Sequence, residues 1–470
     1  MKKLFTVFLV LFYFVSNAQQ NHALNMKMLS HWNDTTLSHC DGDQIWNNLT
    51  GWHDSIKKRE YLIAGSCDSI YFFDITDPTK MIKCDVKDGA AHNAVNRDYD
   101  TYKHYLYCVS DRDNGNGTLQ IFDLQYLPDS VHKVYDNNSF SVTSHTLFIE
   151  AKYERLYLCG NLHKYGGQAG SSMLILSIAS PENPTYLGEL AVASECHYTH
   201  EVYVRNDTAY CSCATQGLFI YDVKNPTTPK NIGSITTYPY NGYNHSSWLD
   251  SSGKYLMFTD EVPTGLPIKI FDITDLQNAK LVSTFNSNTG ATPHNAKWKG
   301  RYAWTSSYED GVFGYDLLNP SQPKVAAYFD TYMKNPIGVY STYYHGCWGV
   351  YPFLPSGYII ASDISEGLFV LGIDSIHLGI NDLSSSTIQA SIFPNPVFDV
   401  LHLNIPSKQK TGASLQITDM LGKIILQQNI NLNIGENEFL FDELKNQFSG
   451  LYIIQIRSND GFWSSKFLKQ

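Results

Sequence analysis

The 470-residue chain has no C-x-x-C pair, no G-x-S-x-G elbow, no P-loop and no G-x-G-x-x-G fingerprint. A cysteine-built zinc site, serine hydrolase chemistry and nucleotide or dinucleotide binding therefore lack their usual parts. Clustered Lys and Arg are also missing. The 34 basic residues are outnumbered by 45 acidic ones, and the formal net charge is −11. A phosphate backbone is held by basic clusters, so a nucleic-acid partner is excluded. Beyond the first twenty residues, no apolar run approaches the roughly 20 residues that a membrane-spanning helix needs. The mature chain is expected to carry no transmembrane segment.

What the chain does have is apolar and aromatic material: 43% hydrophobic residues, with 32 Tyr and 24 Phe. Aromatic side chains pack well on a pleated, half-buried surface, which favours β-structure. The opening "MKKLFTVFLVLFYFVSNAQQ" sets two lysines before an apolar stretch from Leu4 to Val15, then "SNA" ending at Ala18. That pattern predicts a secretory signal peptide over residues 1–18. Export permits disulfides, but the cysteines number nine and most fall inside predicted strands. Cys108, Cys159, Cys211 and Cys213 occupy comparable places in successive units and read as small buried hydrophobes.

Internal repetition organises the rest. "YLIAGSCDSIYFFDITDPTK" (61–80), "YLYCVSDRDNGNGTLQIFDLQYL" (105–127) and "AYCSCATQGLFIYDVKNPTTPKNIGSI" (209–235) share one plan with four other segments. Each has an apolar strand, a polar or glycine-rich turn, a second apolar strand, then usually an Asp and a proline-containing turn. A period of about fifty residues with roughly four short strands per unit predicts a β-propeller, here of seven blades. The seventh unit ends at "LFVLGID" without an outer strand, while "ALNMKMLSHW" (23–32) is an orphan strand of the same kind. Pairing them would close the ring and remove exposed edges. Asp74, Asp123, Asp222, Asp272 and Asp316 recur around the circumference. Catalysis needs convergence, so these carboxylates read as turn caps.

"IWNNLTGW" before the first blade, "YFFDITDP" within it and the "HN" or "HT" openings of later blades resemble the LVIVD repeat. Residues 23–374 as a whole resemble the propeller of the choice-of-anchor B family, although the third unit reads "LILSIASPENP" and lacks the Asp. The resemblance implies an exported, seven-bladed protein attached to or released from the cell surface, and it carries over no catalytic residues. A polar linker follows at 375–388. Residues 389–470 then alternate apolar and polar positions as a small Ig-like β-sandwich would. Their "FPNP" (393–396), "DMLGK" (419–423), "SGLYIIQI" (449–456), Lys466 and Lys469 resemble the type A C-terminal sorting domain of type IX secretion. That resemblance implies a partner in the type IX machinery. A carbohydrate-binding sandwich would instead need an aromatic platform, for which Phe462 and Trp463 are the candidates.

Aligning the units places His92, His145, His200, His245, His294 and His345 at the start of the innermost strand, with Asn48 in the first unit's slot. In a propeller these positions ring the central channel. Three or four imidazoles converging at about 2 Å could hold a divalent metal such as zinc, with His197, Glu195, Asp260 and Glu261 close by in sequence and Asp111 and Asp363 at a related place. Six exceed the need of one ion, so the alternative is a repeated packing device that bonds the next blade. The Tyr-rich loops at 237–245 and 330–348 would crowd the same face and suit a glycan, peptide or protein surface. The expected function is a secreted or surface-bound binding module, with a metal-dependent enzyme as the alternative.

Overall fold

The computed structural model describes residues 22–111, 118–161, 170–335, 338–341, 343–374, 390–419, 424–458 and 461–470. The expected signal peptide and linker lie outside the described residues. No described helix is long and apolar enough to cross a membrane. The chain divides into two compact units, residues 1–375 and 376–470.

The first unit is a β-propeller. Among the described residues it shows seven antiparallel sheets, each of four strands except one that carries a short fifth. The innermost strands are Trp46–Asp54, Arg97–Tyr102, Thr146–Glu150, Glu201–Arg205, Asn244–Leu249, Ala296–Lys299 and Cys347–Tyr351. Each touches the inner strand of the next sheet, and Cys347–Tyr351 touches Trp46–Asp54. Burial follows from this stacking. The second strands, such as Tyr255–Asp260, are buried along almost their whole length because both faces meet another sheet. Outer strands such as Lys280–Phe285 are largely exposed. Continuous apolar runs therefore mark strands buried on both faces, and mixed runs mark the rim.

The orphan N-terminal strand divides its work between two sheets. Met26–Trp32 pairs antiparallel with Gly367–Ile373, from Met26 opposite Ile373 to Trp32 opposite Leu368. Ala23–Leu24 instead pairs with Tyr328 and Phe329 of the preceding sheet. His22 Nδ1 reaches Asp330 Oδ2 at 2.8 Å beside it. The seam is apolar: Trp46, Leu62, Tyr71 and Phe73 of the first sheet pack with Ile360, Leu368 and Val370 of the last, and Leu29 and Trp32 join them.

The recurring aspartates are turn caps. Asp74, Asp123, Asp222, Asp272 and Asp316 each accept from the backbone N–H two residues on, at 2.9–3.0 Å. Two cysteine pairs form disulfides, Cys40–Cys67 and Cys196–Cys213. Cys213 thus departs from the reading as a plain hydrophobe, because its partner arrives from a loop that the repeat alignment does not register. Cys108, Cys159 and Cys211 are free and buried, as expected.

The second unit is also all-β. One sheet orders Ser391–Phe393, Leu401–Ser407 and Gly435–Phe441, and the other orders Ile424–Leu432, Thr411–Asp419, Gly450–Ser458 and Gly461–Lys469. Their shared core includes Leu401, Leu403, Leu415, Ile417, Ile454, Ile456 and Phe467. Trp463 packs partly buried against this core, so it forms no exposed platform. The Phe462 side chain lies outside the described residues.

One buried ion pair supports the sheet that begins at Asn244. Lys269 and Asp260 meet at 2.5 Å with both side chains 0% exposed. Asp260 also accepts from Tyr238 Oη at 2.9 Å and Asn244 Nδ2 at 3.2 Å. Removing one partner of such a pair strands a charge in the interior, whereas replacing both with apolar groups is far milder. Asp260→Ala is expected to lower the unfolding free energy by about 3–5 kcal/mol. Asp260→Leu combined with Lys269→Met is expected to recover most of that loss in guanidinium titration. A single substitution costing no more than the double one would contradict the assignment.

Candidate functional site

Four of the six histidines meet at the propeller axis. Successive ring centroids lie 4.2 Å apart for His145 and His200, 4.1 Å for His200 and His245, and 4.4 Å for His245 and His294. Backbone register explains their convergence. The N–H groups of His145, His200 and His294 donate to Cys159, Ser212 and Ser306 of the adjacent strand, so these residues hold one equivalent place. His245 sits in a bulge between Asn244 and Ser246 that opens the pairing with the next strand. A bulge re-aims a side chain, here toward the other imidazoles.

His92 and His345 do not join this group. His92 is 67% exposed and faces Asp68 at 3.6 Å. Its strand starts only at Arg97, so Asn96 holds the slot and donates through Nδ2 to the His145 carbonyl. "HNAV" thus repeats the letters of "HNAK" in a different register. His345 stacks on Tyr332 at 5.4 Å and faces Asp43 at 3.4 Å. Trp348, in the bulge of the last sheet, packs on His294 at 4.8 Å instead. Gly346 permits this path, since a Cβ there would come within 2.2 Å of the Tyr308 carbonyl oxygen. Asn48 lies in the first sheet's irregular stretch and donates to Asp98.

The slot side chains bridge neighbouring sheets. His200 Nδ1 donates to the His245 carbonyl at 3.0 Å, and His294 Nδ1 donates to the Trp348 carbonyl at 2.6 Å. His145 Nδ1 is 3.0 Å from Asp111 Oδ2. These bonds fix the tautomer and leave Nε2 of His200 and His294 with its lone pair. Burial holds all three inner imidazoles neutral: His200 and His245 lie well below the usual imidazole range, and His294 is pushed down to about 3. Neutral imidazole is the ligand form.

Of the expected auxiliary ligands, Glu261 and Asp111 reach the ring. His245 Nε2 lies 3.7 Å from Glu261 Oε2, and Tyr308 Oη donates to the same carboxyl group. Ligand atoms of His245, Glu261 and His294 all lie within 4.8 Å of one another. Asp260 is committed to Lys269. Asp363 is committed to Thr331, whose hydroxyl donates at 2.6 Å. Glu195 accepts from Tyr221 at 3.3 Å, and exposed His197 reaches the Val192 carbonyl at 2.9 Å.

A second cluster was not anticipated. Glu201 is pushed up to about 8, first by burial and then by Asp98, while Lys297 opposes the rise. Burial raises Asp98 as well, and Asp100 reaches about 6. Two residues beyond Glu201, Tyr203 joins Phe148 and Trp248 in a group of rings in mutual contact at 4.6–6.3 Å, with Lys297 over the Trp248 ring. Asp98, Glu201 and Lys297 all lie on inner strands but at different register positions, and charged strand residues ordinarily face solvent.

Residues 391–470 match the model of the secretion system C-terminal sorting domain family. The second unit is therefore a sorting domain of the type IX route, which implies export and engagement with that machinery. No curated protein matches the chain. Among solved structures, the RRP9 WD40 repeats are similar at 9% identity and a TM-score of 0.50, covering 74% of this chain and 97% of that one. The likeness is one of fold, that of a β-propeller. PorZ, an essential bacterial surface component of the type-IX secretion system of Porphyromonas gingivalis, gives a TM-score of 0.46 at 11% identity. That match covers 93% of this chain and 61% of PorZ, so the chain spans less than two thirds of its length. A putative 6-phosphogluconolactonase from Bacteroides fragilis gives 0.46 at 12% identity, over 85% of this chain and 99% of that one. The protein is thus an exported β-propeller with a secretion-sorting domain.

The buried imidazoles make stability depend on pH. A folded-state value below the ordinary one, about 6.5, means that the unfolded chain binds a proton which the folded chain refuses. Stability is therefore full above about pH 6.5 and falls as pH drops below it. His200→Gln can still donate to the His245 carbonyl but cannot titrate. In urea denaturation, the wild-type chain is expected to lose up to about 1.4 kcal/mol per pH unit more than this variant below about pH 6.5. The raised Glu201 and Asp363 act in the opposite sense but are common to both chains. Parallel pH profiles would show that His200 is not held neutral.

Proposed function

We propose that the protein is a seven-bladed propeller of the LVIVD-repeat, choice-of-anchor B type. After a signal peptide at 1–18, the propeller spans 23–374, and a linker at 375–388 joins it to the sorting unit at 389–470. It acts as a binding module at the cell surface or outside the cell. The observation that carries this reading is the tyrosine-rich surface beside the histidine ring. Tyr343 is 78% exposed, Tyr240 62% and Tyr344 40%. They come from the loops at 237–245 and 330–348, and both loops reach the ring. Tyr344 stacks on Tyr308 at 4.6 Å, Tyr308 packs on His294 at 4.9 Å, and Tyr243 meets His200 at 5.4 Å. Exposed tyrosines anchored by buried neighbours supply contact area at small conformational cost. A glycan, peptide or protein surface is the ligand class that such a face suits.

Two outcomes test the reading. A chain truncated after residue 388 is expected to accumulate in the periplasm, while the full chain reaches the surface or the medium in fractionation. Tyr240→Ala with Tyr343→Ala is expected to change stability by less than about 0.5 kcal/mol per site. The same pair is expected to weaken retention on cell-surface polysaccharide or peptide arrays by at least about tenfold, as loss of interface anchors does. Undiminished retention by the double variant would remove the tyrosine face from the account.

A further inference from the structure

We infer that His245, Glu261 and His294 form a site for one divalent transition metal of the zinc class, with a fourth position left for water or an oxygen of a bound molecule. The inference stands on the geometry of these three side chains and does not depend on which surface of the propeller takes a macromolecule.

The first argument is chemical. Two imidazoles and one carboxylate make a nitrogen and oxygen donor set without thiolate, which suits zinc and its neighbours. Calcium and magnesium favour all-oxygen surroundings. The second argument is metric. Tetrahedral ligands at about 2.1 Å from zinc lie about 3.4 Å apart. His245 Nε2 and Glu261 Oε2 are already 3.7 Å apart, and no pair in the trio exceeds 4.8 Å. Small side-chain rotations close the remainder.

The third argument is an unmet need. His245 is 3% exposed, and its Nδ1 has no hydrogen-bond partner among the described residues. Its ring faces the His294 carbonyl, and its Nε2 stops 3.7 Å from Glu261 Oε2. A buried imidazole nitrogen left without a partner loses the hydrogen bond it had in water. Coordination through Nε2, with Nδ1–H turned onto the His294 carbonyl, would satisfy both nitrogens at once.

The surroundings already hold the other two ligands as metal sites require. His294 Nδ1 is fixed by the Trp348 carbonyl, which aims Nε2 at the trio. The Glu261 carboxylate is oriented by the hydroxyls of Tyr308 and Tyr344. Among the described residues His200 does not join the trio, which leaves three protein ligands. Three protein ligands with one open position distinguish exchangeable zinc sites from closed structural ones.

The test uses the full chain, stripped with chelator and then titrated with zinc alone and with cobalt alone. One equivalent is expected to bind, with visible d–d absorption from the cobalt form. His245→Ala and, separately, the near-isosteric Glu261→Gln are each expected to weaken zinc binding by more than about tenfold and to alter the cobalt spectrum. Circular dichroism confirms that each variant is folded, and Glu261→Gln supplies the comparison should His245→Ala fail to fold. His92→Ala is expected to bind as the wild type does. Absence of stoichiometric zinc and cobalt binding by the folded wild type would overturn the site. Equal binding by wild type and Glu261→Gln would overturn the ligand assignment.

Discussion

Every other feature of the propeller depends on the pairing of Met26–Trp32 with Gly367–Ile373. Sheets that bury both faces need a neighbour on each side, and a linear stack of them would leave two apolar faces in water. The chain resolves this by returning its first strand to its last sheet. Trp32 then reaches Trp46 and Phe73 across the seam, at ring separations of 5.5 and 4.9 Å. The short pairing of Ala23–Leu24 with the sixth sheet extends the closure over a second sheet. One segment thereby joins the start of the ring to its last two sheets.

Closure also explains the axial chemistry. Inner strands of neighbouring sheets stand so close that backbone carbonyls at their upstream ends need donors from the next sheet over. Asn96, His200 and His294 provide those donors to His145, His245 and Trp348 in turn. The histidines are first a structural answer to unpaired carbonyls. Using Nδ1 for that purpose leaves Nε2 free and the ring neutral, which are the two requirements for a ligand. At His294 the packing device and the proposed ligand are therefore opposite sides of one imidazole.

Much of this was legible in the sequence because repetition averages out local ambiguity. The continuous apolar second strands, the capping aspartates and the missing last outer strand each predicted an observed feature. The sorting domain was legible for a different reason: "FPNP" and "SGLYIIQI" are specific words. Register at the inner strands was less legible. His92 and His294 open the same letters, yet the strands start five residues after one and two residues after the other. Bulges at His245 and Trp348 break the register there, and only the second is directly flanked by glycines, Gly346 and Gly349. The disulfide between Cys196 and Cys213 joins a loop to a strand end, a relation that spacing alone does not encode. Glu201 and Lys297 carry no local sign of an interior place, because only a closed ring makes the inner face an interior.

The central claim is that ring closure brings His245, Glu261 and His294 together as a ligand set at the axis. Anomalous diffraction from crystals grown with zinc, measured on both sides of the zinc absorption edge, tests it most directly. The account predicts one edge-dependent peak about 2 Å from Nε2 of both histidines and from a Glu261 oxygen. The fourth ligand would come from outside the trio, and His245 Nδ1 would be bonded to the His294 carbonyl. Density without such a peak, with His245 and Glu261 joined in a direct hydrogen bond, would contradict it.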